Sequence, residues 1–249
     1  MGPGGKIYVT NNGGFNWMVR PGKTFPITQA DDYKGGSIQI VDPETGKFET
    51  LYDAWRRPAP ARAQRPGLRR RGRLLGSSDL ARRAERDSDR AAPSTTPGRT
   101  ARQIEEAIFP SSGPTGSGCR PMTGRSTLVE TPTARCWSFR LSGPGRIESA
   151  NGPYRGEKGK VVVGLGGYQM FDSLAVDDDG HICVATLITG AVSDIWPDGS
   201  RVDQYVLPDM MVTNVCFGGP ELRTAFATLS MGARWCPSSG RGPAWRFTI

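Results

Sequence analysis

Short apolar strands separated by acidic Gly turns recur along this chain, and that repeat leaves few folds open to it. The run Asp172-Ser-Leu-Ala-Val-Asp-Asp-Asp-Gly-His-Ile-Cys-Val-Ala-Thr186 reads as two strands joined by a tight turn, a β-hairpin. Gly190 to Ile195, the turn Pro197-Asp198-Gly199 and a strand through Tyr205, Val206 and Leu207 extend the unit. Near the N-terminus, Lys6 to Thr10, Gly36 to Val41, the turn Asp42 to Gly46 and Lys47 to Tyr52 repeat the same grammar. Four short strands per unit, at a period of about 40–50 residues, point to an all-β chain built as a β-propeller rather than a sandwich.

One stretch breaks the pattern. Between Trp55 and Arg102 there are fourteen Arg, no Lys and only four acids, Asp79, Glu85, Asp87 and Asp89. The segment therefore carries +10 of a net charge of +8, and the remainder of the chain is slightly acidic. An Arg-rich arm can bind phosphate backbones. The absence of Lys and of interleaved aromatics argues against that use, so no nucleic-acid partner is expected. No apolar run approaches the roughly 18 residues of a membrane span, and no membrane partner is expected either. Met1-Gly2-Pro3-Gly4-Gly5-Lys6 lacks the organisation of a secretory signal, which makes a cytoplasmic location the default. The five Cys are scattered without a close pair and read as free thiols.

Familiar hydrolase machinery is absent: there is no nucleophile elbow, phosphate loop or paired His. Asp177, Asp178 and Asp179 precede Gly180 and read as turn residues. His181, the sole His, has no partner visible in sequence and reads as packed or solvent-facing.

Longer stretches carry a resemblance. Tyr168 to Asp177, Cys183 to Leu187 and Thr213 to Ala225 resemble the last third of bacterial members of the senescence-marker-protein/gluconolactonase (regucalcin-like) family. Asn11-Asn12-Gly13-Gly14-Phe15-Asn16-Trp17 resembles an earlier blade, and Glu130 to Arg135 a central one. The resemblance implies a six-bladed β-propeller that opens sugar lactones. In it a Glu, two Asn and an Asp from different blades hold one divalent cation, calcium first, with zinc, manganese or magnesium as alternatives. The cation would polarise the lactone carbonyl while a carboxylate activates water.

On that pattern Asp172, in Phe-Asp-Ser-Leu, is both the metal ligand and the catalytic base, although an Asp beside Ser also caps strand turns. Asn12 becomes a candidate substrate-binding residue, against the alternative that Asn and Gly simply form a turn. The family's Glu belongs to a first blade expected upstream of Met1, so the propeller is expected to be incomplete, a single domain over 1–249. The two Asn motifs do not appear as written. Gln64 and Thr115 stand near the expected Asn positions, inside a disrupted segment from 55 to 126 rich in Arg, Ala and Pro.

These substitutes hide a regularity. Gln64 to Leu68 can be encoded so that reading one nucleotide later yields Asn-Asp-Leu-Val-Phe. Thr115 to Gly124, shifted the other way, can yield Gly-Ile-Gly-Leu-Ser-Pro-Asp-Asp-Gly. Compensating frameshifts are therefore expected in the middle, with another near Ser238 to Ala244. The resemblance and the disrupted frame together imply an impaired metal-dependent sugar-lactone hydrolase. The alternatives are a non-enzymatic calcium-binding or propeller scaffold protein and, less favoured, an Arg-rich nucleic-acid binder.

Overall fold

The computed structural model describes residues 5–33, 36–52, 76–77, 94–97, 104–108, 113–120, 124–143, 146–148 and 159–232. Almost all of the described chain is antiparallel β-structure, with one short 3₁₀ turn at Pro220–Leu222. Most of the Arg-rich stretch, Gln64 included, lies outside the described residues.

The strands fall in chain order. They are β1 (Ile7–Asn11), β2 (Phe15–Arg20), β3 (Lys23–Gln29), β4 (Ser37–Val41), β5 (Phe48–Tyr52), β6 (Gly76–Ser77), β7 (Ser94–Pro97) and β8 (Ile104–Ile108). There follow β9 (Pro114–Arg120), β10 (Arg125–Glu130), β11 (Arg135–Gly143), β12 (Arg146–Ile147) and β13 (Gly159–Gly164). The last are β14 (Met170–Val176), β15 (Ile182–Leu187), β16 (Ala191–Ile195), β17 (Val202–Val206), β18 (Val212–Gly218) and β19 (Thr224–Leu229).

They pair as sheets β1-β4-β5, β2-β3, β6-β7-β8, β9-β10-β11, β14-β15-β16-β17 and β18-β19. The long β11 pairs with β13 along Arg135–Phe139 and with β12 beyond Leu141. Strand β14 lies between β9 and β18, the first strands of the neighbouring sheets, and β6 contacts β9. Antiparallel sheets of two to five described strands, stacked through β6, β9, β14 and β18, make a propeller-type architecture.

Alternation along β15 shows how the stack is held. Every residue of Ile182–Leu187 is buried, because the strand has a sheet on each face. Ile182 and Val184 pack with Phe171, Ile195 and the Val129, Ala134 and Cys136 side chains of the β9–β13 sheet. Cys183 and Ala185 turn the other way, onto Val212, Val215, Ala225 and Leu229. Burial on both faces explains why this strand is apolar on both sides, save the hydrogen-bonded Thr186, instead of alternating. At the other end of the stack, the Thr24 amide donates to the Met231 carbonyl oxygen at 3.0 Å, joining the β2-β3 hairpin to the strand end after β19.

The Pro197-Asp198-Gly199 turn lands where the sequence puts it, with the Ser200 amide donating to Asp198 Oδ1 at 2.9 Å. Gly199 has φ +79°, and a Cβ there would overlap the Val162 carbonyl oxygen of the neighbouring sheet. Gly199→Ala is therefore expected to cost at least about 2 kcal/mol, combining left-handed strain with a backbone displacement. Chemical denaturation checks this, and an unchanged midpoint would contradict the close approach.

Candidate functional site

Each of the three adjacent first strands carries an irregularity near its start. On β9, Gly116 pairs with Val129 and Pro114 with Glu130, so Thr115 is the extra residue. On β14, Phe171 pairs with Thr186 and Leu174 with Val184, leaving Asp172 and Ser173 opposite the single Ala185. On β18, Val212 pairs with Leu229 and Asn214 with Thr228, leaving Thr213 extra. Bulges re-aim side chains and concentrate beside active sites. Here they put Thr115, Asp172 and Thr213 at like positions on consecutive inner strands.

Asp172 is partly buried, next to the fully buried Phe171. Burial disfavours its charged form and pushes the carboxyl up to about 7, against a smaller opposing pull from the Ser173 amide hydrogen bond. A carboxyl poised near neutrality suits a general base.

Thr115 stands beside it on β9. Its Oγ1 is 2.7 Å from Thr131 Oγ1 and 3.4 Å from the carbonyl oxygen of Phe171, the residue before Asp172. On the opposite flank, Thr213 Oγ1 lies 2.9 Å from Thr228 Oγ1 and 2.6 Å from Ser230 Oγ. Asn214 directs its Oδ1 to its neighbour's amide, Val215 N, at 2.8 Å. Neither Thr131 nor Thr213 stands out in the sequence as a site residue. Their signal is positional: the β18 bulge places the Thr213 hydroxyl, and the turn after β10 places Thr131 beside Thr115, so both emerge only once strands are in register.

The other candidates take different places. Asn12 sits at the turn after β1, in another sheet, with its Oδ1 accepting from the Gly14 amide at 3.0 Å. Asn11 does the same for Gly13 at 2.9 Å. Asp177 caps its turn by accepting from the Gly180 and His181 amides. His181 has a partner that the sequence conceals: its Nδ1 is 2.9 Å from Oδ1 of the buried Asp194, with Trp196 against the ring. Strand pairing of β15 with β16 brings the two together across a hairpin. Cys136, Cys183 and Cys216 are free thiols, and burial raises the first two to about 12.

Could this end of the stack hold a hard dication? Among the described residues, no three His, Cys, Asp or Glu side chains converge. One carboxylate and a set of hydroxyls already bonded to one another fall short of the six or more oxygens such an ion prefers. The described residues do not make a cation site by themselves.

Comparison with known proteins decides the family. Residues 1–231 match the SMP-30/Gluconolactonase/LRE-like region. The chain belongs to that family. A pentonolactonase of Haloferax volcanii is 36% identical over 61 residues, which are 24% of this chain and 21% of that protein. The match thus spans about a fifth of that curated relative's length. Among solved structures, a gluconolactonase from Xanthomonas campestris superposes with a TM-score of 0.54 at 14% identity, covering 78% of this chain and 62% of that one. Regucalcin from Agrobacterium tumefaciens, a calcium-binding protein, gives 0.51 at 19% identity, covering 85% and 66%. At such identities the two structures speak to the fold, and both agree with the stacked β-meanders described above. Among the described residues no helix is long and apolar enough to cross a membrane.

Proposed function

We propose that this chain is a gluconolactonase-like hydrolase acting on a small sugar lactone, with Asp172 as the general base. The observation that carries the reading is the Asp172 carboxyl itself, set on a bulge of an inner strand and raised to about 7 by burial. The Asp172 carboxylate takes a proton from water as the hydroxide adds to the lactone carbonyl carbon. The ring C–O bond then breaks, and the departing alkoxide recovers the proton, giving the open hydroxy acid. Membership of a family that includes lactonases supports this assignment.

The family resemblance implies a divalent cation at this point, calcium before zinc, manganese or magnesium. The described donors fit it poorly, so we expect weak metal binding and impaired turnover, as the frameshift account also requires. The same sparse donor set favours a second reading, a propeller scaffold without turnover.

The deciding assay is release of acid from gluconolactone and a pentonolactone, with and without added calcium, manganese or zinc. It should be run beside a frame-corrected chain carrying the Asn motifs. Slow hydrolysis by the chain as it stands, and much faster hydrolysis after correction, is the expected result. Hydrolysis by neither protein would leave the scaffold reading in place. Equal rates with tight metal binding would refute the frameshift account.

A further inference from the structure

Two consecutive residues of β9 touch the backbone that carries Asp172, each in a different way. The Thr115 hydroxyl reaches the Phe171 carbonyl oxygen at 3.4 Å and is itself held by Thr131 at 2.7 Å. Gly116 lies directly against the bulge: a Cβ there would sit 2.7 Å from the Asp172 carbonyl oxygen and 3.1 Å from the Leu174 amide nitrogen. The third close neighbour, Val129 Cγ2 at 2.8 Å, belongs to a side chain, but these two are backbone atoms, so a side chain at 116 could be admitted only by moving β14.

Gly118, two residues on, makes the contrast. A Cβ there would meet Leu174 Cδ1 at 2.6 Å and Val176 Cγ2 at 3.0 Å, side-chain ends that can rotate aside. The strict requirement for glycine thus falls at the one point where β9 faces the Asp172 bulge. A bulge leaves ladder hydrogen bonds unmade, so its geometry needs a support from outside its own sheet.

We propose that Thr115 and Gly116 are positioning residues that clamp the Phe171–Asp172 backbone from the adjacent sheet and so set where the Asp172 carboxylate points. The proposal rests on the reading of Asp172 as the base. It adds that the base is aimed by a neighbouring blade and not by its own. A catalytic group misplaced by an ångström forfeits much of its rate advantage while substrate binding barely changes.

The test uses the full chain and four variants. Thr115→Val and Gly116→Ala are expected to lower kcat at least about tenfold with KM within about twofold. Thr115→Ser, which keeps the hydroxyl, should retain at least half of wild-type kcat, and Gly118→Ala should match wild type. Hydrogen exchange of the backbone amides of residues 170–176 provides a reading independent of turnover. It should accelerate in Thr115→Val and Gly116→Ala and stay unchanged in Thr115→Ser. Wild-type kcat and exchange in Thr115→Val would overturn the clamp. So would a loss in Gly118→Ala equal to that in Gly116→Ala. Should the wild-type chain hydrolyse no lactone, the exchange pattern alone upholds or rejects the clamp, and the lactonase reading itself fails only if the frame-corrected chain is inactive as well.

Discussion

Replacing Asp172 by Asn is expected to lower lactone turnover by about 10²–10⁴-fold, the range a positioned general base contributes, and at the same time to stabilise the protein above neutral pH. The activity half follows from the role proposed for the carboxylate. Because only the ionised form accepts a proton, wild-type kcat/KM should rise with pH through about 7, where burial places this carboxyl.

The stability half follows from linkage. The folded chain holds the Asp172 proton up to about 7, whereas the unfolded chain releases it near the ordinary 3.8. Between those values the folded state binds more protons, so stability falls as pH rises across the window and levels off above it. At about 1.4 kcal/mol per pH unit, partial solvent access leaves roughly 2–4 kcal/mol. Asp172→Asn cannot ionise and should lack this slope. Thermal unfolding at pH 4.5 and pH 8 checks it: the variant should gain on wild type at the higher pH. A variant that keeps full turnover, or loses stability between those pH values as steeply as wild type, would remove Asp172 from the site.

The second large effect lies one residue earlier. Phe171→Ala should destabilise the fold by about 3–5 kcal/mol, the cost of removing a fully buried aromatic and leaving a cavity. Phe171 is completely buried among Val129, Ala134 and Cys136 on one side and Ile182, Val184 and Ile195 on the other, so its ring fills the seam between two sheets. Denaturant titration should show the loss at an unchanged slope. Phe171→Leu, which conserves most of the volume, should cost less than half as much. Equal losses in the two variants would mean that the seam is not packed around this ring.

Much of the β-meander around Asp172 is legible from residue order. Asp177 to Gly180 announces a hairpin turn, and Pro197-Asp198-Gly199 announces the next. In both cases an Asp side chain satisfies backbone amides over two to four residues, as the observed bonds to Gly180, His181 and Ser200 confirm. Asn11 and Asn12 obey the same local chemistry, each accepting from the amide two residues on, although the family resemblance invites a role in the channel. A hydrogen bond that spans two residues needs no knowledge of the rest of the fold.

Longer-range partnerships were not legible. His181 carries no sign of Asp194 because thirteen residues separate them and only the β15-β16 register makes them neighbours. Thr115 sits 56 residues from the Phe171 carbonyl it approaches, and the bulge at Asp172 exists only in relation to Ala185 across the ladder. Local side-chain chemistry and strand alternation thus specify turns, strands and the all-β class, because their energies depend on residues within a few positions. The pairing of inner strands from successive sheets, the burial that raises the Asp172 carboxyl and the backbone contact at Gly116 arise from packing between distant segments. Those features were decided by tertiary structure alone, since register and burial are properties of neighbours that the linear order does not name.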